Sequence, residues 1–98
     1  MKNKVVNVAV QVLPVARDKN SYALVDEAIA LIDRSGVSYR VTPFETVMEG
    51  TYERLMEVVE EVQAACYKAG ADTLMCYVKI QSRAEGEVRI LDKMEKYD

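Results

Sequence analysis

Every second residue from Val6 to Val12 is a valine, and small or polar residues lie between them. A strand points successive side chains to opposite faces, and β-branched residues suit that conformation. The pattern therefore predicts a strand over residues 4–13, with one apolar face that other elements must cover. We expect Pro14 to end this strand, because proline cannot donate a hydrogen bond to a neighbouring strand.

Two later segments carry apolar residues at helical spacing, and each stops at a glycine. The first is predicted over residues 22–35, preceded by an asparagine and a serine that suit an N-cap and followed by Gly36. The second lies between its predicted N-cap Thr51 and Gly70. Both helices are amphipathic, so each needs an apolar surface to pack against.

Three more alternating segments predict strands over residues 37–44, 45–49 and 72–82. The first two are joined by too few residues for a helix, so we expect them to form a hairpin. After a polar break, residues 87–97 carry three apolar residues spaced three apart. This spacing predicts a weakly amphipathic C-terminal helix.

The order β-α-β-β-α-β predicts an α+β fold of the ferredoxin-like type, in which an antiparallel sheet carries both main helices on one face. The length of 98 residues suits a single domain over residues 1–98. Its core is expected over about residues 4–83, with the helical tail over residues 87–97.

The two faces of the predicted sheet differ in composition. The helix face would carry the valines of the first strand and, from the last strand, Leu74, Cys76, Val78 and Ile80. The opposite face would carry Asn7, Ala9, Gln11, Met75, Tyr77 and Lys79. No element of a monomer is predicted to cover this second face. It is therefore either solvated or covered by the sheet of another subunit, with room for a ligand between them.

The overall charge limits the classes of partner. The net charge is −3 and the pI is about 5.0, and the chain lacks the basic stripe that neutralises nucleic-acid phosphates. No apolar run approaches the roughly 20 residues that cross a bilayer, and the first residues do not form a signal-peptide core. We therefore expect a soluble, cytoplasmic protein that binds neither nucleic acid nor membrane.

The chain contains no histidine, so it lacks the usual general base and the commonest transition-metal ligand. Cys66 and Cys76 match neither a zinc spacing nor a CxxC pair. We expect both to be small buried apolar residues, with no metal and no cofactor. A cysteine enzyme that uses another base remains an alternative.

Residues 43–50 read PFETVMEG and place a hydroxyl and a carboxylate, those of Thr46 and Glu49, in a short and largely apolar run. From the residues alone, Thr46 is an ordinary β-branched strand residue. Likewise, Glu49 is explained as a carboxylate that stabilises the following helix by lying near the positive end of its dipole. By the same reasoning Arg83 is a surface cation at a strand end, and Tyr77 is an interface anchor on the open sheet face.

Five segments carry a family resemblance: Leu13-Pro14, SGVSY at 35–39, TPFETVMEG at 42–50, KAGAD at 68–72 and VKIQSR at 78–83. Together they resemble the small thiamine-binding protein family. The resemblance implies a ferredoxin-like subunit that dimerises through its sheet and commonly assembles as a homotetramer, a dimer of dimers. It also implies that the protein binds thiamine or its hydroxymethylpyrimidine part as a small-molecule ligand, without catalysis.

The resemblance further implies which residues form the site. The family's threonine and glutamate correspond to Thr46 and Glu49, and its terminal arginine corresponds to Arg83. A carboxylate can meet the amino group and ring nitrogen of an aminopyrimidine with two hydrogen bonds, and a hydroxyl can add another. The cationic thiazolium of thiamine would be attracted by Glu45 or Glu49 and by the ring of Tyr77. The predicted ligand-binding residues are Glu45, Thr46, Val47, Glu49, Tyr77 and Arg83.

The chain departs from the family pattern at three places. Glu45 stands where glycine is frequent, residues 16–19 replace a loop of Gly-Thr and small residues, and Thr73 replaces a common arginine. An oligomeric structural or regulatory module without a thiamine site is therefore the alternative function. An acylphosphatase-like enzyme is disfavoured, because Arg17 is its only candidate phosphate-binding arginine and no glycine-rich loop surrounds it.

Overall fold

A computed structural model describes residues 1–98 of the chain. The strands are β1 (Val5–Val15), β2 (Ser38–Val41), β3 (Thr46–Thr51) and β4 (Thr73–Gln81). The helices are α1 (Ser21–Ser35), α2 (Tyr52–Lys68) and α3 (Ile90–Met94). The four strands form one antiparallel sheet in the order β2-β3-β1-β4. This arrangement confirms the predicted ferredoxin-like α+β fold.

The predicted starts of both main helices are confirmed. The Asn20 side chain accepts a hydrogen bond from the Tyr22 N–H at 2.8 Å, and Gly36 ends α1 with a φ of +82° that glycine adopts without strain. The Thr51 hydroxyl accepts a hydrogen bond from the Arg54 N–H at 3.4 Å at the start of α2. No helix of the chain is both long enough and apolar enough to span a bilayer.

The hairpin of β2 and β3 is confirmed, although β2 is shorter than the predicted segment 37–44. The Thr42 N–H and hydroxyl both donate to the Glu45 carbonyl oxygen, at 2.9 and 2.7 Å. The Thr42 hydroxyl oxygen in turn accepts from the Glu45 N–H at 3.1 Å. These bonds close a turn over residues 42–45, so β2 ends at Val41.

The prediction that Pro14 ends β1 is wrong, because β1 continues to Val15. Strand β1 pairs with β3 only as far as Val10, which lies opposite Thr46, whereas it pairs with β4 as far as Val15. Residues 11–15 therefore have one unpaired edge. A proline fits there, because no partner on that edge requires its missing N–H.

The core lies between the sheet and the two main helices. From β1 it receives the predicted valine stripe, all of it buried. The helices contribute Leu24, Ala28, Ile32, Leu55, Val58, Val59, Val62 and Cys66. Two apolar residues of β4 depart from the prediction. Val78 and Ile80 lie on the helix face opposite Val10 and Val8, but they are 37% and 46% exposed because the helices leave this end of the outer strand uncovered.

The prediction of a helix over residues 87–97 is wrong in extent, since α3 includes only Ile90–Met94. The Val88 N–H donates to the Val5 carbonyl at 3.2 Å, and the Val88 carbonyl accepts from the Asn7 Nδ2 at 3.0 Å. These bonds to β1 hold the backbone around Val88 out of the helix, and they bury Val88 against the open face of the sheet.

Part of the face opposite the helices is therefore covered within one chain, contrary to the prediction that nothing in a monomer covers it. We name residues 84–98 the C-terminal segment. Its Lys93 bonds the Gln81 side chain at 2.8 Å, and its Asp98 pairs with Arg40 at 2.7 Å. The other part of this face remains open, as shown by Met75 and Tyr77, which are 58% and 48% exposed.

Candidate functional site

A cavity of about 300 Å³ lies between α1, the end of β1 and the turn of the β2–β3 hairpin. We name it the hairpin cavity. Its walls are mainly aliphatic and come from both the sheet and α1, as in Val10, Val12, Val25 and Ile29. Its polar side chains include Gln11, Thr42, Glu45 and Thr46. An apolar pocket with a few polar groups is the usual form of a small-molecule site.

The cavity exists because neighbouring strands differ in length. The last pair between β1 and β3 is Val10 opposite Thr46. Strand β1 continues to Val15, whereas the turn over residues 42–45 does not pair with it. A gap therefore opens beside residues 11–13, with α1 as its second wall. Alternate residues along this unpaired edge direct backbone N–H and C=O groups toward the gap, where they can bond a ligand.

Thr46 lies on the helix face of β3 and lines the hairpin cavity. Thr46 is only 6% exposed, and its hydroxyl makes no hydrogen bond within the chain. Because it lines the cavity without a protein partner, this hydroxyl is available to donate to or accept from a ligand. Of the predicted site residues, Thr46 is the one that is buried beside this cavity with a free polar group.

Glu45 lies where the cavity meets the open face of the sheet. It lines the hairpin cavity and also a shallow groove on the open face, formed by Gln11, Phe44, Glu45, Tyr77, Val78 and Lys79. We name this surface the open-face groove. The Glu45 carboxylate is 2.5 Å from the Lys79 ammonium, and its side chain is 20% exposed. The structure thus brings together three predicted residues, Glu45, Thr46 and Tyr77, around the hairpin turn.

Glu49 is separated from this group. It points to the opposite face of the sheet from Thr46, and on the open face it lies beside Asn7, four residues along β1 from Gln11, which pairs with Tyr77. The Glu49 carboxylate accepts a hydrogen bond from the Ile90 N–H at 2.6 Å and lies 3.4 Å from the Arg89 guanidinium. Glu87 also bonds that guanidinium, and the two carboxylates raise the pKa of Arg89. Glu49 therefore binds the start of α3, whereas from the residues alone it is expected at the start of α2.

Two further predicted residues lie away from the cavity and the groove. Val47 points to the open face, where it is paired with Ala9 and Arg40. Arg83 follows the end of β4 as an exposed residue, and its carbonyl oxygen accepts a bond from the Lys4 ammonium at 2.6 Å. Within the chain, neither Glu45 nor Glu49 uses Arg83 as a partner.

Two aromatic residues at the cavity were missed by the sequence-based prediction. Tyr22 and Phe44 both line the hairpin cavity, and both are 80% exposed. Tyr22 belongs to the first turn of α1, whose position is fixed by the Asn20 cap. Phe44 follows Pro43 in the hairpin turn. A bulky aromatic residue inside a tight turn is the sequence signal that could have identified it, since turns favour small and polar residues.

The two cysteines do not contribute to this site. Cys66 is buried in the core, as predicted, whereas Cys76 is only partly buried beside it. Burial raises the pKa of the Cys66 thiol, with a smaller contribution from Cys76, and burial also raises the pKa of Cys76. A raised pKa disfavours the thiolate that a cysteine nucleophile needs. The structure has no group of three or more potential metal ligands.

The sequence profile of the thiamine-binding protein family matches residues 8–98. The chain belongs to this family. The match covers all of the hairpin cavity and the open-face groove, so both lie within the part of the fold that the family shares. Membership confirms the resemblance found in the five sequence segments.

Relatives of known sequence or structure agree with this family. The chain is 38% identical over 91 residues to a UPF0045 protein of Clostridium perfringens, covering 93% of this chain and 95% of that one. A Bacillus cereus structure of a domain of unknown function is 38% identical, with a TM-score of 0.93 and coverage of 97% and 91%. A Thermotoga maritima structure of a candidate thiamine biosynthesis or salvage protein is 30% identical, with a TM-score of 0.86 and coverage of 96% and 99%.

Proposed function

We propose that this protein binds thiamine or its hydroxymethylpyrimidine part in the hairpin cavity, without chemical change, as a carrier, buffer or sensor. Family membership supports the ligand class. The observation that carries the location is the Thr46 hydroxyl, which lines an apolar cavity and has no partner within the chain. On the opposite face the Glu49 carboxylate is already bonded to Ile90 and Arg89, and the polar atom without a partner is the buried Asn7 Oδ1 beneath the C-terminal segment.

The cavity suits the pyrimidine ring. Its volume of about 300 Å³ lies at the lower end of the ~300–1,000 Å³ of small-molecule sites, which is enough for one substituted six-membered ring. The aliphatic walls would cover the ring faces, and the Thr46 hydroxyl can bond a ring nitrogen or the amino group. The unpaired backbone edge of residues 11–13 offers a second set of partners. Tyr22 and Phe44 stand at the cavity and would stack on the ring.

The thiazolium ring of thiamine would then leave the cavity toward the open-face groove. Glu45 lines both spaces, and its carboxylate would attract the cationic ring. Tyr77 on the groove offers an aromatic surface for a cation. In this arrangement the neutral pyrimidine is recognised by shape and hydrogen bonds, and the cation is recognised by charge.

A non-enzymatic role forms part of the proposal. The chain has no histidine, and the pKa of each cysteine is raised by burial. Glu45 is the only Asp, Glu, Lys or Arg that lines the hairpin cavity. One carboxylate beside a cavity can bind a cation, but it lacks the paired acid and base that proton-transfer catalysis ordinarily uses.

The experiment that tests this function is calorimetric titration of hydroxymethylpyrimidine and of thiamine into the parent protein and into Thr46→Val. Valine keeps the shape of threonine and removes only the hydroxyl. We expect binding to the parent and about 2–10-fold weaker binding to the variant, the effect of losing one hydrogen bond of ~0.5–1.5 kcal/mol. Thr73→Val, at the exposed start of β4, is the matched control and should bind like the parent.

Two outcomes would overturn the proposal. Absence of binding by the parent at high micromolar ligand would remove the ligand class. Equal binding by the parent and Thr46→Val, together with lost binding in Glu49→Gln, would move the site to the opposite face of the sheet. If the parent binds neither compound, the oligomeric structural or regulatory module becomes the function to pursue.

A further inference from the structure

The hairpin cavity and the open-face groove contain only two charged side chains. Among all residues lining the two spaces, Glu45 is the only Asp or Glu and Lys79 is the only Lys or Arg. They are also bonded to each other, with 2.5 Å between the Glu45 carboxylate and the Lys79 ammonium. The response of this site to the charge of a ligand therefore depends on one ion pair.

The ion pair spans a strand. Lys79 of β4 lies opposite Ala9 of β1, and Glu45 directly precedes Thr46, which lies opposite Val10 on the other side of β1. The two side chains must therefore reach toward each other over β1, above the floor of the open-face groove. A ligand group that leaves the cavity along this groove would reach the Glu45 carboxylate while the Lys79 ammonium is already bonded to it.

We propose that Lys79 is a specificity-determining residue, which competes with a cationic ligand for the Glu45 carboxylate. This inference rests on the proposed function. A neutral pyrimidine held in the cavity leaves the ion pair intact. A pyrimidine that carries a cationic ring must displace the Lys79 ammonium from the Glu45 carboxylate. Its net gain in binding free energy is therefore only the difference between the attraction of the ring and that of the ammonium for the same carboxylate. The ion pair thereby shifts the preference of the site toward the neutral ligand.

The size of the effect follows from the exposure of the pair. The Lys79 side chain is 74% exposed, and exposed ion pairs contribute little because water and salt screen them. The need to displace Lys79 therefore lowers the affinity for thiamine only by a modest factor. We expect Lys79→Met to bind thiamine about two- to fivefold more tightly than the parent at low salt. Binding of neutral hydroxymethylpyrimidine should stay unchanged.

The test is a set of titrations of both compounds into the parent, Lys79→Met, Glu45→Gln and the double variant. If Lys79 acts by occupying Glu45, its removal should strengthen thiamine binding much less in the Glu45→Gln background. If Lys79 acts only by repelling the cation, its removal should strengthen binding at least as much there. Lys79→Arg, which keeps the charge, should behave like the parent, and 0.5 M salt should shrink the difference.

A matched control separates this role from a change in net charge. Lys93 is an exposed lysine that bonds the uncharged Gln81 side chain, so Lys93→Met should leave the ratio of the two affinities unchanged. The inference is overturned if the parent binds both compounds and Lys79→Met leaves that ratio unchanged. If the parent binds neither compound, the proposed function itself has failed, which is a distinct result.

Discussion

Thr46 and Glu49 point to opposite faces of the sheet, so a single ligand in the hairpin cavity contacts only one of them. Both belong to β3 and are three positions apart, and an odd separation in a strand places two side chains on opposite faces. The sequence therefore contained the information that they face different ways. Their partners were beyond prediction, because those depend on a cavity on one face and on the C-terminal segment on the other.

The aromatic ring of Phe44 is predicted to contribute to ligand binding and little to stability. Phe44 is the only phenylalanine of the chain, it is 80% exposed, and it lines the hairpin cavity. We expect Phe44→Ala to leave the melting temperature nearly unchanged, because the side chain covers little of the core. It should weaken hydroxymethylpyrimidine binding at least fivefold, given the ~1–3 kcal/mol by which a base stacks on an aromatic ring.

The measurement is a thermal melt and a titration of the same variant. Tyr97→Ala removes another exposed aromatic residue, which is 70% exposed and does not line the cavity, and should change neither quantity. Ligand should also shift the single phenylalanine ring signal in the NMR spectrum of the parent. Unchanged affinity and an unshifted ring signal would remove Phe44 from the site.

At the scale of elements, period and capping predicted the order of strands and helices. The errors arose where a neighbouring element overrides the local pattern. Pro14 continues β1 because β3 ends earlier and leaves one edge free. Residues near Val88 have helical spacing, but they bond β1 and so remain extended. Neither effect can be predicted from a local window, because both depend on where a distant strand ends or lies.

The attachment of the C-terminal segment yields a prediction about pH. The bonded Arg40 guanidinium lowers the pKa of the Asp98 carboxyl below its ordinary value of 3.8. A carboxyl whose pKa is lower in the folded than in the unfolded protein stabilises the fold at pH values above its unfolded-state pKa. This stabilisation is lost as the pH falls through the folded-state pKa. Asp98→Asn should therefore be slightly less stable than the parent at pH 7, and the difference should vanish well below pH 3.8.

Urea unfolding of the parent and of Asp98→Asn across this pH range checks the sign. Asp18→Asn, in the exposed loop between β1 and α1, changes the same charge without that partner and is the control. A stability difference that persists or grows in acid would show that the pair with Arg40 is not its source. We expect a small effect, because both side chains are largely solvated.

At the scale of the whole molecule, the uncovered part of the open face favours assembly. Leu13 of β1 and Met75 of β4 lie there opposite each other and are 44% and 58% exposed. Adjacent exposed apolar residues commonly mark an interface. We propose that this surface joins copies of the chain into a dimer, and that such dimers pair into a tetramer.

Light scattering during size exclusion tests this assembly. The chain mass is 11.1 kDa, and we expect the parent to elute at two or four times that mass. Met75→Glu should reduce the mass, because burying the new charge in the interface is costly. Tyr67→Glu, on the exposed side of α2, should leave the assembly intact. A parent protein that elutes as a monomer at micromolar concentration would contradict the proposed interface.

The proposed ligand site lies on the helix face of the sheet, in the hairpin cavity. The most direct measurement is a crystal structure of the protein with hydroxymethylpyrimidine. We predict the ring between α1 and the hairpin turn, within hydrogen-bonding distance of the Thr46 hydroxyl, with Glu49 still bonded to the Ile90 N–H. A ring bound against Glu49 on the opposite face, with the C-terminal segment displaced, would rule out the hairpin cavity as the ligand site.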